Sequence, residues 1–456
     1  MAVSARGAWG SRLGFILAAA GSAVGLGNIW GFPTQVGRGG GAIFVLVYLA
    51  CVALICLPVM LAELALGRHA KKAPVGSFKA IRPGTPWWLA GALCILAGVG
   101  ILSFYSVIAG WTLAYIFYTG TGAVAGNQQA IGAFFSGFTS NIALNLGLTG
   151  CVLGTTALVI AGGVAKGIER TTKALMPILL GLLVLLAIRS VTLPGAGDGI
   201  AYFLRPDLSR LTDATVYSAA LGQAFFSLSL GMGTMITYGS YLAEREGIPA
   251  AAMWVVGLDT AIALLAGFII FPAGFSIPGF DPSTGGAGMV FTVLPQLFAT
   301  LPGGHLFGGA FFVLLFMAAL TSTISTLEVP VSHMIDEQRW SRRKAVVVVT
   351  GVTMALAVPS VLATAGVAPF ASLPGLGMDF LTLMSTVWNN FALPIGGLLT
   401  ALFVAYAWKR GGALAELTAH GAWFPGQRLW VLLIRYVCPV AIGLIIMMTL
   451  RDLFVG

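Results

Sequence analysis

Charged side chains are scarce in this sequence, and their scarcity excludes most classes of protein. Asp, Glu, Lys and Arg make up 9% of the 456 residues, whereas 58% are hydrophobic. Soluble domains carry about 25% charged residues, so an ordinary soluble protein is excluded. Each membrane span needs roughly 20 mainly apolar residues, and a helix satisfies its own backbone hydrogen bonds in lipid. The composition therefore predicts an all-α polytopic membrane protein embedded in a lipid bilayer.

Cysteine and histidine are too few and too scattered for metal or nucleophilic chemistry. The five cysteines lie in or beside apolar runs without metal-ligand spacing, which indicates small hydrophobic side chains. The four histidines fall near span ends or in loops without a serine or cysteine nucleophile as a partner. We therefore predict that the protein is not an enzyme. The residues are Cys51, Cys56, Cys94, Cys151, Cys438, His69, His305, His333 and His420.

The net charge of +9 does not indicate a nucleic-acid partner. The basic residues are spread over short loops between apolar runs, which is a signal of membrane topology. Gly25 and Gly27 do not indicate a bound dinucleotide, because no strand or βαβ unit precedes them. We expect neither nucleic acid nor an organic cofactor.

Apolar runs predict eleven spans. Most of the lysines and arginines fall in loops that lie on the same side of the membrane as the N-terminus. Because such loops are usually cytoplasmic, we predict a protein of the cell membrane with its N-terminus in the cytoplasm. An odd number of spans then places the C-terminus outside. The external loops, residues 119–145 and 276–304, could form flexible lids or short surface helices. The spans cover residues 11–36, 41–68, 87–119, 146–164, 168–190, 213–243, 250–275, 302–335, 343–364, 377–408 and 427–451.

Two of these spans contain stretches that do not suit a continuous helix. Residues 21–28 read GSAVGLGN, and residues 226–233 read FSLSLGMG. Each glycine costs a helix about 1 kcal/mol relative to alanine, and broken backbone is tolerated in a membrane only where it is buried or lines a cavity. Two interrupted helices in corresponding positions indicate the midplane binding site of a transporter.

Three acidic residues fall inside predicted spans: Glu63, Asp259 and Glu328. Each costs about 2.5 to 3.5 kcal/mol on insertion scales, and we expect no lysine or arginine at a comparable depth. Asp259, with Asn28, Ser227 and free carbonyls, offers the oxygen ligands that a hard cation prefers. A protonated Asp259 bonded to a hydroxyl is the alternative, and structural roles are favoured for the two glutamates.

Hydroxyl groups suggest a second cation site. Residues 318–323 (AALTST) place threonine and serine in an otherwise apolar helix. Such hydroxyls often bond only the carbonyl one turn back, so the site requires this helix to face the first broken one. A passive channel or facilitator, which needs no ion-binding carboxylate, remains an alternative to coupled transport.

These motifs together resemble the neurotransmitter:sodium symporter family, in its bacterial amino-acid branch. The resemblance rests on residues 21–33 (GSAVGLGNIWGFP), 223–233 (QAFFSLSLGMG), 320–325 (LTSTIS) and 166–177 (KGIERTTKALMP), and on Trp111 with Tyr105 ahead of it. It implies the leucine-transporter fold, with helices 1 and 6 unwound at the midplane. Residues 1–190 and 191–410 would form two inverted repeats of five helices, and residues 411–456 would add helix 11.

The same resemblance implies a symporter that moves a neutral amino acid with two sodium ions by alternating access. The expected substrate is large and hydrophobic or aromatic, such as tryptophan or leucine. The substrate residues would be Ser22, Ala23, Leu26, Gly27, Ile101, Tyr105, Phe226, Ser227, Ser229, Met232, Ser322 and Thr326. Sodium site 1 would use Ala23, Asn28, Ser227 and Asp259, and sodium site 2 would use Gly21, Val24, Ala318, Thr321 and Ser322.

Gate residues are also implied by the resemblance. The gates would be formed by Arg6, Trp9, Ser240, Tyr241, Asp336 and Asp379, and Gly167 with Pro177 would mark unwinding of helix 5. Two positions depart from the family pattern. Gly31 stands where an outer-gate arginine usually pairs with the acid at Asp379, so that salt bridge is missing or rebuilt. Asp259 stands where many members have asparagine, which predicts chloride independence.

Overall fold

The computed structural model describes residues 7–124, 126, 128–276, 279–283, 289–300, 303–408 and 411–455. Over these residues the chain forms helices joined by turns, with no strand. Nine helices are long and apolar enough to cross a membrane, and a bent pair of helices adds a tenth span within the same residues. The nine are Ala42–Ala70, Trp88–Gly120, Ile142–Ala161, Val164–Val191, Ile248–Phe275, Gly304–Gln338, Arg342–Thr364, Phe380–Ala407 and Gln427–Arg451.

The two glycine-rich stretches interrupt their helices as predicted. The first broken span consists of Arg12–Ala23 and Gly27–Arg38, which meet at an angle of 48°. The second broken span consists of Ala214–Ser227 and Thr234–Ser240. Within its break the φ angles of Ser229, Gly231 and Gly233 are +53°, +80° and +76°, a left-handed conformation that ends a helix. With this span, the eleven predicted segments are all helical, and their ends agree within a few residues.

The two broken spans lie in the interior of the bundle. Arg12–Ala23 packs against the Ile248–Phe275 and Gly304–Gln338 helices, and Thr234–Ser240 packs against Ala42–Ala70. In the apolar part of the Gly304–Gln338 helix 83% of the residues are buried, whereas in the apolar part of Gln427–Arg451 only 22% are buried. A helix that is apolar all round and surrounded by others is a core element. The breaks are therefore shielded from lipid by other helices.

The predicted external loops carry short helices. Gln128–Ser140 lies between the spans Trp88–Gly120 and Ile142–Ala161, and Leu294–Thr300 precedes the Gly304–Gln338 helix. These short helices account for part of each loop, and Leu294, Leu297 and Phe298 in the second one are buried against the bundle.

The second break packs directly against the backbone of the Phe380–Ala407 helix. A Cβ on Gly396 would lie 2.1 Å from the carbonyl oxygen of Gly231, and a Cβ on Gly231 would lie 2.0 Å from the carbonyl oxygen of Leu393. Only glycine fits at such a close approach. This contact fixes the height of the second break relative to its neighbouring helix.

Replacement of Gly396 by alanine is therefore predicted to destabilise the fold. The new methyl group must displace the Gly231 backbone, and overpacking of this kind costs about 1–3 kcal/mol. We expect a lower midpoint of thermal unfolding in detergent, measured by the loss of the monodisperse gel-filtration peak. Gly351→Ala is the matched control, because its Cβ meets nothing within 4 Å. An equal midpoint for both variants would contradict the proposed contact.

Candidate substrate and sodium site

The backbone groups freed at the breaks find partners on other helices. The Leu26 N–H donates to the Tyr105 hydroxyl oxygen at 3.0 Å, and the Ser229 hydroxyl donates to the Ser22 carbonyl at 2.9 Å. The first hydrogen bond places the Tyr105 hydroxyl beside the amides at the start of the second half-helix of the first break. The second hydrogen bond links the two breaks to each other. Helix N-termini favour anions and C-termini favour cations, so four half-helix ends that meet here suit a zwitterion.

A small cavity of about 20 Å³ lies between the two breaks. Its volume is close to that of one water-sized probe sphere, so the walls are nearly in contact. Ten of the twelve substrate residues expected from the resemblance line this cavity, and the two exceptions are Leu26 and Ser227. Gly25 and Leu102 also line the cavity, although the sequence analysis did not name them as substrate residues. The lining consists of Ser22, Ala23, Gly25, Gly27, Ile101, Leu102, Tyr105, Phe226, Ser229, Met232, Ser322 and Thr326.

Most hydroxyl groups in this lining already have protein partners. Ser22 Oγ donates to Ser325 Oγ at 2.8 Å, and Thr326 Oγ1 donates to the Ser322 carbonyl at 2.8 Å. The side chains of Ile101 and Met232 contribute apolar walls. The cavity therefore combines polar backbone at the breaks with a largely apolar surface for a side chain.

A second cavity of about 650 Å³ opens on the far side of the breaks from the N-terminus. Tyr105 and Phe226 line both cavities, and Leu26 lines the larger one. A Cβ on Gly27 would lie 2.9 Å from the Phe226 ring, so this ring packs directly on the first break. We call the larger cavity the vestibule. Phe226 and Tyr105 lie between the vestibule and the small cavity, and we call these two residues the lid.

Asp259 lies at the junction of the two broken spans, completely buried. Asn28 Nδ2 donates to Asp259 Oδ1 at 2.7 Å and to Ser227 Oγ at 2.9 Å. Ser227 Oγ donates to Asp259 Oδ2 at 2.9 Å. Three of the four residues expected at sodium site 1 are thus in direct contact, and Ala23 ends the adjacent half-helix and lines the small cavity. The hydrogen-bond partners of the carboxylate, Asn28 and Ser227, are neutral side chains.

Tyr48 is a member of this cluster that the sequence analysis missed. Its hydroxyl donates to Ser227 Oγ at 3.4 Å, and its side chain is fully buried. The ring is held by Phe32, whose centroid lies 4.8 Å away. A tyrosine in an apolar run carries little signal by itself, because aromatic residues are common in spans. Only the packing of Ala42–Ala70 against the breaks brings its hydroxyl to the carboxylate.

The residues expected at sodium site 2 also come together. Thr321 Oγ1 donates to the Ala318 carbonyl at 3.0 Å and lies 3.4 Å from the Val24 carbonyl oxygen. Ser322 Oγ donates to the Val24 carbonyl at 3.3 Å. A Cβ on Gly21 would lie 3.5 Å from Thr321 Cβ. The Gly304–Gln338 helix therefore faces the first break. The sequence analysis named this arrangement as the requirement for a second cation site.

On the amino-terminal side, the breaks are covered by aromatic packing. The Trp9 indole N–H donates to the Tyr238 carbonyl at 3.0 Å, and its ring centroid lies 5.0 Å from that of Tyr238 and 6.1 Å from that of Tyr241. Ser240 Oγ donates to the Thr237 carbonyl. Arg6, the expected cationic partner in this gate, lies outside the described residues.

Glu328 corrects one sequence-based expectation. Its carboxylate accepts hydrogen bonds from Arg342 Nη1 at 2.9 Å and Nη2 at 3.0 Å, and from the Tyr241 hydroxyl at 2.6 Å. The expectation that no basic residue lies near this acid was wrong. The reason is that the Arg342 side chain, at the start of its helix, reaches inward along the bundle. Glu63, by contrast, accepts from the Gly231 N–H at 2.8 Å, which supports a structural role.

The two remaining acids expected in the gates bind the ends of helices. Asp336 Oδ2 accepts from the Ala73 N–H at 2.7 Å, beside the start of the Pro74–Ile81 helix. Asp379 accepts from the Thr382 N–H at 2.9 Å and from the Thr382 hydroxyl at 2.7 Å. It therefore caps its own helix. Both contacts follow the preference of helix N-termini for carboxylates.

Gln223 occupies the space beside Gly31. A Cβ on Gly31 would lie 3.0 Å from Gln223 Oε1, and Gln223 Nε2 donates to the Gly27 carbonyl at 2.7 Å. Both residues line the vestibule. A neutral amide thus stands where the family pattern places an arginine side chain.

The helix 5 motif begins with a locally widened turn. Val164–Glu169 has π-type hydrogen bonding, and a Cβ on Gly167 would lie 2.0 Å from the Val159 carbonyl oxygen. Pro177 lies inside the following helix, Arg170–Val191. Irregular hydrogen bonding and an internal proline both weaken a helix locally.

Comparison with known proteins agrees with this geometry. The family model for the sodium:neurotransmitter symporter family matches residues 6–130 and 127–454. The chain is 38% identical to YhdH of Bacillus subtilis, named as an uncharacterized sodium-dependent transporter, over 95% of each chain. It is 33% identical to the similarly named MJ1319 of Methanocaldococcus jannaschii, over 90% of this chain and 84% of the relative.

A solved structure is similar over nearly the whole molecule. The crystal structure of MhsT in complex with L-phenylalanine superposes with a TM-score of 0.89 at 46% sequence identity, covering 97% of this chain and 99% of that one. The resemblance and the leucine-transporter fold are thereby confirmed. The chain is a multi-pass membrane protein, and it belongs to the sodium:neurotransmitter symporter family of sodium-dependent transporters.

Proposed function

We propose that this protein is a symporter that couples sodium to the uptake of a large hydrophobic or aromatic neutral amino acid. The observation that carries the proposal is the position of Asp259, buried between both helix breaks with Asn28 and Ser227 as hydrogen-bond partners. An ionised carboxylate in this setting is costly unless a cation joins it. Oxygen ligands from carboxylate, hydroxyl and carbonyl groups suit sodium.

Two sodium ions are proposed to travel with each substrate molecule. The first would bind at Asp259, Asn28, Ser227 and Ala23, and the second at the cluster around Thr321 and its neighbours from the first break. Two ions that cross roughly 100 mV and a tenfold gradient release about 7 kcal/mol together. This free energy is sufficient to concentrate a neutral amino acid by about five orders of magnitude at the ideal limit.

The substrate assignment follows from the two kinds of surface in the small cavity. The carboxylate of the substrate would accept hydrogen bonds from the Leu26 and Gly27 amides and the Tyr105 hydroxyl. The ammonium group of the substrate would donate to carbonyls near Ala23 and Phe226. Ile101 and Met232 offer apolar contacts to the side chain. The similar MhsT structure contains L-phenylalanine, which supports an aromatic or large aliphatic substrate here.

Alternating access is proposed to follow the asymmetry between the two sides of the breaks. The vestibule of about 650 Å³ reaches the lid residues Tyr105 and Phe226, while Trp9, Tyr241 and Glu328 cover the opposite side. The distribution of Lys and Arg supports a cytoplasmic N-terminus and an external C-terminus. Residues 1–190 and 191–410 would be the inverted repeats, with one broken span in each.

The proposal is tested with purified protein in liposomes and a panel of labelled amino acids. We expect saturable uptake of large neutral amino acids when sodium is outside, and at least about tenfold less uptake in potassium or choline. A passive facilitator would transport equally well in all three salts. Uptake that is indifferent to the cation would therefore overturn the proposal.

The Asp259→Asn variant is predicted to lose sodium-dependent uptake in chloride-free buffer. The buried negative charge that faces the first sodium ion is removed while the side-chain shape is kept, and we expect a loss of at least about tenfold, which corresponds to about 1.4 kcal/mol. Wild-type uptake should not depend on chloride, whereas added chloride should partly restore the variant. The control is Asp198→Asn on the exposed surface. Full uptake by the Asp259 variant without chloride would show that the assignment is wrong.

The Thr321→Val variant is predicted to raise the sodium concentration needed for half-maximal uptake. It removes a hydroxyl that lies between the Ala318 and Val24 carbonyls, and loss of one such polar contact costs about 1 kcal/mol, or about fivefold in affinity. Thr353→Val is the matched control, since this buried hydroxyl donates only to the Val349 carbonyl of its own helix. An unchanged sodium dependence would argue against a second ion at this cluster.

A further inference from the structure

An apolar groove runs along the outside of the bundle, on two helices that also line the vestibule. It lies between the Phe380–Ala407 and Gln427–Arg451 helices, and its volume is about 480 Å³. Leu398 lines one side, and Val440, Leu444 and Met447 line the other, where each is at least half exposed. In a bilayer this groove faces lipid tails.

Arg435 lies one helical turn from the end of this groove, on the same helix as Val440. Its guanidinium carbon is 5.6 Å from the ring centre of Tyr406 and 5.4 Å from that of Tyr436. Its Nε is buried without a hydrogen-bond partner among the described residues. Within the same part of the chain, no carboxylate forms an ion pair with it.

The surroundings of Arg435 favour an anion from the membrane. The Tyr406 hydroxyl donates to the Arg435 carbonyl at 2.6 Å, which holds its ring beside the guanidinium. Tyr406 is the next-to-last residue of its helix, so this group lies near the end of a span, where tyrosines and lipid headgroups meet. A guanidinium binds phosphate by charge-assisted hydrogen bonds.

We propose that Arg435, Tyr406, Tyr436 and the adjoining groove bind one anionic phospholipid. The guanidinium takes the phosphate, and the groove takes an acyl chain. From Arg435 to Met447 the helix rises about 18 Å, which is close to half of the roughly 30 Å hydrocarbon core. The site therefore has the length of one acyl chain in a single leaflet. A second copy of the chain is disfavoured, because a two-fold contact here would bring two unpaired guanidinium groups together.

Native mass spectrometry of the purified, delipidated protein tests this site. Phosphatidylglycerol and phosphatidylcholine with identical acyl chains are titrated in turn. We expect the wild type to retain one phosphatidylglycerol at concentrations where phosphatidylcholine is lost. A basic residue near the membrane surface contributes about 1 kcal/mol toward an anionic lipid, so Arg435→Gln should weaken this binding about fivefold. Arg428→Gln removes the same charge from the exposed start of the same helix and should have no effect.

The groove is tested separately by Gly443→Leu. A Cβ at Gly443 meets nothing within 4 Å, so the larger side chain fits and occupies part of the groove. We expect weaker phosphatidylglycerol binding with Arg435 intact, and no competition from glycerophosphoglycerol, which has the headgroup but no acyl chains. Competition by that headgroup alone would indicate a site for free phosphate esters and would overturn the proposal.

Three further outcomes would also overturn it. They are equal retention of the two lipids by the wild type, equal binding by the wild type and Arg435→Gln, and a dimer in place of the lipid-bound monomer. The measurement records lipid binding and involves neither sodium nor substrate. The phospholipid site and sodium-coupled transport can therefore fail independently of each other.

Discussion

The organisation of this protein depends on how the backbone groups at two helix breaks are satisfied. An unpaired N–H or C=O group in a membrane interior costs several kcal/mol. Here Tyr105 accepts from the Leu26 amide, and Gln223 and Ser229 donate to the carbonyls of Gly27 and Ser22. These partners come from other parts of the chain, so the breaks are stable only in the assembled bundle. A polar site at the membrane midplane is the direct consequence.

The same requirement explains why polar side chains cluster where they do. Asp259 is compatible with full burial because Asn28 and Ser227, one from each broken span, donate to its oxygens. Thr321 lies on a third helix and contacts the Val24 carbonyl at the first break. Glu63 holds the Gly231 amide in the second break. Every one of these polar groups contacts a break or lies within one.

Sequence analysis anticipated the parts of this arrangement that are local in the chain. Glycine-rich stretches inside apolar runs located both breaks, and the carboxyl group at Asp259 was recognisable because charges in spans are rare. The contacts of Tyr48, Gln223 and Arg342 could not be predicted in this way. Tyr48 reaches Ser227 across 179 positions, and Gln223 reaches Gly27 across 196. Their roles depend on which helices pack against each other. The residues that flank Tyr48, Gln223 or Arg342 in the sequence do not show which helices these are.

Arg342 shows the limit most clearly. By sequence it is one of several basic residues beside a span, where a topological role is the natural interpretation. In the fold it forms a bidentate pair with Glu328 and also donates to the Ile160 carbonyl. The position of a residue within a span gives the depth of its backbone in the membrane, but a long side chain can extend by several ångströms in either direction.

The account is tested most directly by linked binding of substrate and sodium to the purified protein. The affinity for a large neutral amino acid, such as L-phenylalanine, is measured by calorimetry at several sodium concentrations, and the affinity for sodium is measured with and without the amino acid. If both bind where the two breaks meet, each must strengthen the other by the same factor. Amino-acid binding that is equally tight in potassium would contradict the account.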